Sequence, residues 1–167
     1  MHGLRERNRF LHVPIFNYST CLRCIGEDLE QRGLKTLDLR NEEQSYVVNC
    51  GYQSPPASTP VTLHYSQSDI QKLDNAGREK RTKVAPSKEF VTLVQILRAI
   101  GGYLDKIGAR LIRISNNVSL RKDPMFRVEY VDRDGELVID DRAGSAIYDM
   151  CVVVYRQRRR MTGTGRR

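Results

Sequence analysis

The residues in this chain that most resemble chemistry are Cys21 and Cys24, two thiols at i and i+3 in Cys21-Leu22-Arg23-Cys24. Together with Cys50 and His64 they would make a four-ligand zinc set. On their own they have the spacing of a redox pair. A second constellation is the acidic group Asp132, Asp134, Asp140 and Asp141, whose oxygens would suit a hard cation. The calcium-loop pattern D-x-[DN]-x-[DN]-G is not met there, because Gly135 arrives too early, so the Asp134-Gly135 pair reads as a solvated β-turn. The three histidines have no partners at catalytic spacing. Ser145 lies in A-G-S-A, which is not a nucleophile elbow, and no glycine loop is suited to phosphate. The expectation is a protein without catalysis, metal or cofactor.

The elements that must carry these residues are announced by an internal repeat. Leu22 to Gly33 reads L-R-C-I-G-E-D-L-E-Q-R-G and Leu97 to Gly108 reads L-R-A-I-G-G-Y-L-D-K-I-G, seventy-five residues later. Leu, Arg, Ile, Gly, Leu and Gly stand at the same six places, and Leu37 and Leu39 are echoed by Ile112 and Ile114. Within each copy Leu, Ile, Gly and Leu fall at i, i+3, i+4 and i+7, one face of an α-helix. A glycine inside a helix costs about 1 kcal/mol against alanine, so Gly26 and Gly101 predict a close backbone approach on that face. Gly33 and Gly108 fit the left-handed position just past a helix end. The alignment also sets Cys21 and Cys24 against Ile96 and Ala99. That favours core thiols over a metal or redox pair.

Patterning predicts the remaining elements. Ser19 or Thr20 would cap the first helix, followed by strands over 34–39, 45–53 and 61–65, with the proline-rich 54–60 between the last two. Ser68 would cap a helix with Ile70, Leu73 and Ala76 inward. Ser87 could start the second repeat's helix early. Strands then follow over 109–114, 126–131 and 136–139, and Ser145 would cap a helix with Ile147, Met150 and Val153 or Val154 inward. The fold class is therefore α+β, an internal duplication of an α-β-β-β-α unit. A three-stranded unit of that size buries little alone, so the two halves are expected to share a core by pseudo-two-fold symmetry, as a homodimer would. The division is a basic arm over 1–18, a first repeat over 19–81, a linker over 82–88, a second repeat over 89–158 and a basic tail over 159–167.

Charge supplies the functional lead. Of 28 basic residues, six Arg fall in 156–167 with no acid, whereas 10–155 is balanced. Within that stretch 77–88 is again basic. Arg78, Lys80 and Arg81, and then Arg156, Arg158, Arg159 and Arg160, close the last helix of each half. Such runs bind phosphates by releasing counterions, and they bind acidic proteins or anionic membranes on charge alone. The leading expectation is a non-enzymatic binder of nucleic-acid phosphates, DNA or RNA. The alternative is a structural adapter whose basic tail docks an acidic partner or membrane. No apolar run is long enough to span a bilayer and no secretory h-region is present, so a cytoplasmic protein is expected, as a monomer or homodimer. The order helix–strand–strand–strand–helix is similar to that of the double-stranded-RNA-binding domain, in topology only. That family grips phosphates with a basic run near the start of its second helix. Here the corresponding starts are Asp69 to Lys72 and Ala146 to Asp149, so the charge lies at the other end.

Overall fold

Hydrophobic periodicity and glycine stops become ten elements in the computed structural model, which describes residues 16–34, 36–51, 61–80, 92–117 and 124–152. They are α1 (Tyr18–Gln31), β1 (Thr36–Glu42), β2 (Ser45–Gly51), β3 (Val61–Tyr65), α2 (Gln67–Lys80), α3 (Leu93–Ile107), β4 (Arg110–Asn117), β5 (Met125–Val131) and β6 (Leu137–Ala143), then α4, helical over 144–152. The strands form one antiparallel sheet in the order β3-β2-β1-β4-β5-β6.

The centre of that sheet carries the symmetry. β1 and β4, the equivalent strands of the two halves, pair with Leu39 opposite Ile114, flanked by Asp38 opposite Ser115 and Arg40 opposite Arg113. Leu39 and Ile114 are themselves equivalent in the repeat, so a pseudo-two-fold axis passes between them. The helix layer obeys the same axis. A Cβ on Gly26 would lie 3.1 Å from Val94 Cα, and one on Gly101 would lie 2.6 Å from the Tyr18 carbonyl oxygen and 2.7 Å from Ser19 N. Ser19 and Val94 are again equivalents. The glycines mark the close crossing of α1 and α3 that the repeat predicts.

The same crossing closes the helix starts, whose first N–H groups have no intrahelical acceptor. The Asp105 carboxylate accepts from Tyr18 N at 2.9 Å and Ser19 N at 3.0 Å. Glu30, its equivalent, accepts from Val94 N at 3.3 Å. Each helix thus lends an acid near its end to the positive start of the other.

Several local expectations are corrected. Asn17, not Ser19 or Thr20, caps α1 through a 2.9 Å bond from Thr20 N to its side-chain oxygen. Ser66, not Ser68, caps α2. Its Oγ accepts from Asp69 N at 3.1 Å while the Asp69 carboxylate takes the Ser66 N–H and O–H, both at 2.9 Å. Those bonds hold the Asp69 carboxyl below its ordinary range. Thr92 caps α3 with Gln95 in a reciprocal capping box; Ser87 lies outside the described residues. Ser145 falls within the first turn of α4, and Ala76 is exposed while Asp74 is buried. Val153 and Val154 lie outside the described residues. Phe16 belongs to the fold, packed against the core, although it falls within the expected arm.

The second half also departs from the first at one point. β4 bulges between Leu111 and Arg113, which buries Leu111 and leaves Ile112, the expected echo of Leu37, exposed. Buried groups freed by the bulge find partners. Leu111 N donates to the Tyr18 hydroxyl at 3.2 Å, and Asn41 donates to the Leu111 carbonyl at 2.8 Å. β6 runs four residues beyond Ile139, the expected strand end.

Candidate interaction surfaces

All the helices that bury core residues lie on one face of the sheet. Leu39, Val48, Ile114 and Val128 form one row of that inner face. No described element covers the other face. Across it, cross-strand register places His64, Val47, Arg40, Arg113, Glu129 and Ile139 in one row. The next row is Thr62, Asn49, Asp38, Ser115, Arg127 and Asp141. Charges pair both between these rows and along them. Arg113 makes a bidentate bond to Asp38 at 2.7 and 2.6 Å, and Arg127 reaches Asp141 at 2.8 Å. These bonds raise both guanidinium pKa values above the usual. The imidazole of His64, on edge strand β3, is the only aromatic ring in these two rows, so they offer no extended platform on which bases could stack. At the β6 edge the face turns apolar, with Leu137 61 % exposed and Ile139 54 % exposed, and Ile112 at the β4 bulge is exposed as well.

The basic residues singled out from sequence fall at the margins. Arg78 and Lys80 are in the last turn of α2, with side chains outside the described set, while Arg81, Arg156, Arg158, Arg159 and Arg160 lie outside the described residues. In sequence, one cluster falls at and just past the end of α2 and the other follows the described part of α4. β3 and β6, the strands leading into those helices, are the two edges of the sheet, roughly 24 Å apart at ordinary strand spacing.

The thiols are core groups. Cys21 and Cys24 have no exposed surface, and Cys50 and Cys151 are also buried and free. Burial pushes the Cys21 thiol up to about 11. The expected acidic cluster is dispersed. Asp132 accepts from Asp134 N and Glu136 N, both at 2.9 Å, across the turn. Asp141 pairs on the open face, whereas Asp140 points inward from β6 and takes Arg142 Nε at 2.8 Å. Among the described residues no group of three or more His, Cys, Asp or Glu is placed to hold a metal ion.

Two polar features inside the helix layer were not anticipated. Arg23, 8 % exposed, forms an ion pair with the buried Asp74, joining α1 to α2, and its Nε has no hydrogen-bond partner. In the second half the equivalent Arg98 is exposed and Cys151 stands in place of Asp74. There a recess of about 270 Å³, open mouth included, lies between α3, α4 and the inner face of β5–β6. Tyr103, Tyr130, Asp140, Ile147, Met150 and Cys151 contribute to its lining. The Tyr103 and Tyr130 rings meet edge to face at 77° with centroids 6.4 Å apart. Burial raises the Tyr130 hydroxyl pKa and pushes the Cys151 thiol up to about 12. The Leu-Arg step shared by the two repeated helices gave no signal of the Arg23 pair, since Arg98 occupies the same place and is exposed. The partner of Arg23 lies 51 residues away on a polar-looking helix. Comparison of the chain with protein-family models, with curated proteins and with solved structures finds no match in any of the three.

Proposed function

We propose that this protein is a non-enzymatic binder of nucleic-acid phosphates, using Arg78, Lys80 and Arg81 together with Arg156, Arg158, Arg159 and Arg160. The observation that carries the reading is the segregation of charge. Arginines on the open sheet face are largely matched by carboxylates, as in Arg113–Asp38 and Arg127–Asp141, while the unbalanced cations of the sequence collect at the close of each half. Cations at a helix end also favour the negative pole of its macrodipole, but six arginines in twelve residues exceed that need. With a single imidazole, His64, as the aromatic group of those two rows, contact would be chiefly to phosphates and tolerant of sequence.

Fluorescence anisotropy with duplex DNA, duplex RNA and single strands at several salt concentrations tests this. Four tail arginines that each displace a counterion predict a log–log salt slope of roughly −3 to −4 on duplex DNA. A chain ending at Tyr155 should remain folded and lose most of that slope. Equal binding by the two chains, or no binding below about 100 µM at low salt, refutes the reading. Exposed Leu137, Ile139 and Ile112 at one sheet corner favour a second reading, an adapter that docks a protein partner, since contiguous apolar surface is the common mark of such contacts.

A further inference from the structure

The sheet ends in β3 on one side and β6 on the other, the equivalent strands of the two halves. One inner-face row crosses it from edge to edge, from Leu63 through Val48, Leu39, Ile114 and Val128 to Asp140. The pseudo-two-fold axis passes through the middle of that row, so Leu63 and Asp140 are counterparts. Along the strands, His64 then answers to Asp141 and Tyr65 to Arg142. At three consecutive equivalent places β6 carries Asp-Asp-Arg and β3 carries Leu-His-Tyr.

An edge strand offers unpaired N–H and C=O groups to any other strand, and charged side chains discourage that pairing. β6 has this protection and β3 lacks it. Val61-Thr62-Leu63-His64-Tyr65 holds no Lys, Arg, Asp or Glu, and β-branched and aromatic residues of this kind suit strands. Among the described residues no strand lies beyond β3. Thr62 and His64 are exposed, and Val61 and Leu63 are only half-buried. Set antiparallel to a copy of itself about an axis at Leu63, β3 is self-complementary. Leu63 then faces Leu63 and Val61 faces Tyr65 on the inner side, while Thr62 faces His64 on the open side. β6 fails the same operation, because an axis at Asp140 or at Asp141 brings two like carboxylates together. The chain already contains one join of this kind. At the seam, β1 and β4 pair antiparallel with Leu39 against Ile114 at the axis.

We infer that β3 is a docking edge for a second copy of this chain, whose own β3 adds antiparallel about a two-fold axis at Leu63. The two sheets become one continuous sheet, and the inner apolar row runs on across the join instead of ending at Leu63. Backbone hydrogen bonds supply the attraction, and the two Val61–Tyr65 pairs, aliphatic against aromatic, add cross-strand contact. A strand of five residues makes a small contact beside the roughly 800 Å² per partner of a standard interface. The dimer is therefore weak, with a Kd on the order of 100 µM. The basic helix ends take no part, so the inference is independent of phosphate binding.

Sedimentation equilibrium of the full chain, freed of nucleic acid, from about 1 µM to about 1 mM tests it. The mass should rise from that of one chain toward that of two. Thr62 and His64 are exposed, so substitution there spares the core. Thr62→Lys with His64→Lys sets lysine against lysine twice across the axis and should weaken the dimer about tenfold, whereas Thr62→Lys with His64→Glu sets lysine against glutamate twice and should restore it. In the unsubstituted protein the backbone amide resonances of Val61 to Tyr65 should move with concentration while those of Leu137 to Ala143 stay fixed. This second readout does not depend on a variant folding. A chain that stays monomeric up to about 1 mM overturns the assignment and leaves the edge for a strand of another protein. Dimerisation that survives the double lysine variant, or that moves the β6 amides and not those of β3, also overturns it.

Discussion

Alanine at each of three helix glycines would separate close packing from intrinsic propensity, because their surroundings differ in steps. Removing a glycine from a helix interior gains about 1 kcal/mol of propensity at every site. At Gly102 a new Cβ meets nothing within 4 Å, so Gly102→Ala should stabilise by about that amount. At Gly26 the new atom would stand 3.1 Å from Val94 Cα and 3.3 Å from a Leu97 methyl. A small displacement relieves this, and the net change should lie near zero. At Gly101 it would stand 2.6 Å from the Tyr18 carbonyl oxygen, well inside the 3.4 Å at which ordinary contact begins. The atoms it meets are backbone, pinned by Asp105 at the start of α1, so they cannot rotate away. Overpacking of this kind costs about 1–3 kcal/mol, and against fixed backbone the upper end applies, for a net loss of about 2 kcal/mol. Urea unfolding followed by circular dichroism reads all three, with unchanged m-values as the check that only stability has moved. The span from Gly102→Ala to Gly101→Ala should be about 3 kcal/mol, or roughly 6–12 °C in Tm for a chain of this size. If Gly101→Ala proves as stable as Gly102→Ala, the tight α1–α3 crossing is wrong.

Asp74→Ala should destabilise by about 3–5 kcal/mol, since it strands the buried Arg23 guanidinium, whereas Arg23→Met with Asp74→Leu should recover most of the loss; chemical denaturation of the single and double variants decides this. Asp105→Ala, which removes two bonds from the start of α1, should cost about 1 kcal/mol, and Glu30→Ala, which removes one longer bond, should cost less. The four cysteines should react with a thiol reagent only as fast as the protein opens, and all four should titrate in denaturant. Cys21 and Cys151 are raised from 9.0 to about 11 and about 12, so the fold favours their protonated forms. Their contribution to stability is full below pH 9 and is lost as pH rises through 11 to 12, which a series of alkaline melts would detect.

The helices of the repeat were legible in sequence because apolar spacing, glycine inside and glycine at the end all describe the same object. The seam was legible too, since a half with three strands needs a partner surface and the repeat supplies one. Caps were misplaced by two or three residues because Asn17, Ser19 and Thr20, or Ser66 and Ser68, all carry a suitable oxygen. Only the position of the backbone turn selects among them. The end of β6 was hidden for a different reason. Asp140, Asp141 and Arg142 look like a loop, yet an edge strand tolerates charge on both faces and is protected by it from pairing with other chains. The bulge at Ile112 was invisible because the Leu111 backbone groups beside it are satisfied by Tyr18 and Asn41, 93 and 70 positions away. Of the candidate sites, the thiols were readable through the repeat, and the proposed phosphate-binding ends rest on charge. The difference between the two sheet edges could not be foreseen, since it depends on the strand order that places β3 and β6 outermost.

The ion pair between Asp38 and Arg113 joins two residues that occupy the same place in their respective halves. In an assembly of two separate identical chains, a single residue type must serve both sides of the axis. A peptide connection removes that obligation, and here one side has become acidic and the other basic. Set against a copy of itself in the same register, β1 would place Asp38 opposite Arg40 twice. β4 would place Arg113 opposite Ser115 and bring two Arg113 side chains together with no acid between them. Self-pairing in this register would thus match opposite charges in β1 and bring like charges together in β4. The two halves are therefore not interchangeable at the seam, which is matched only when one of each kind is present.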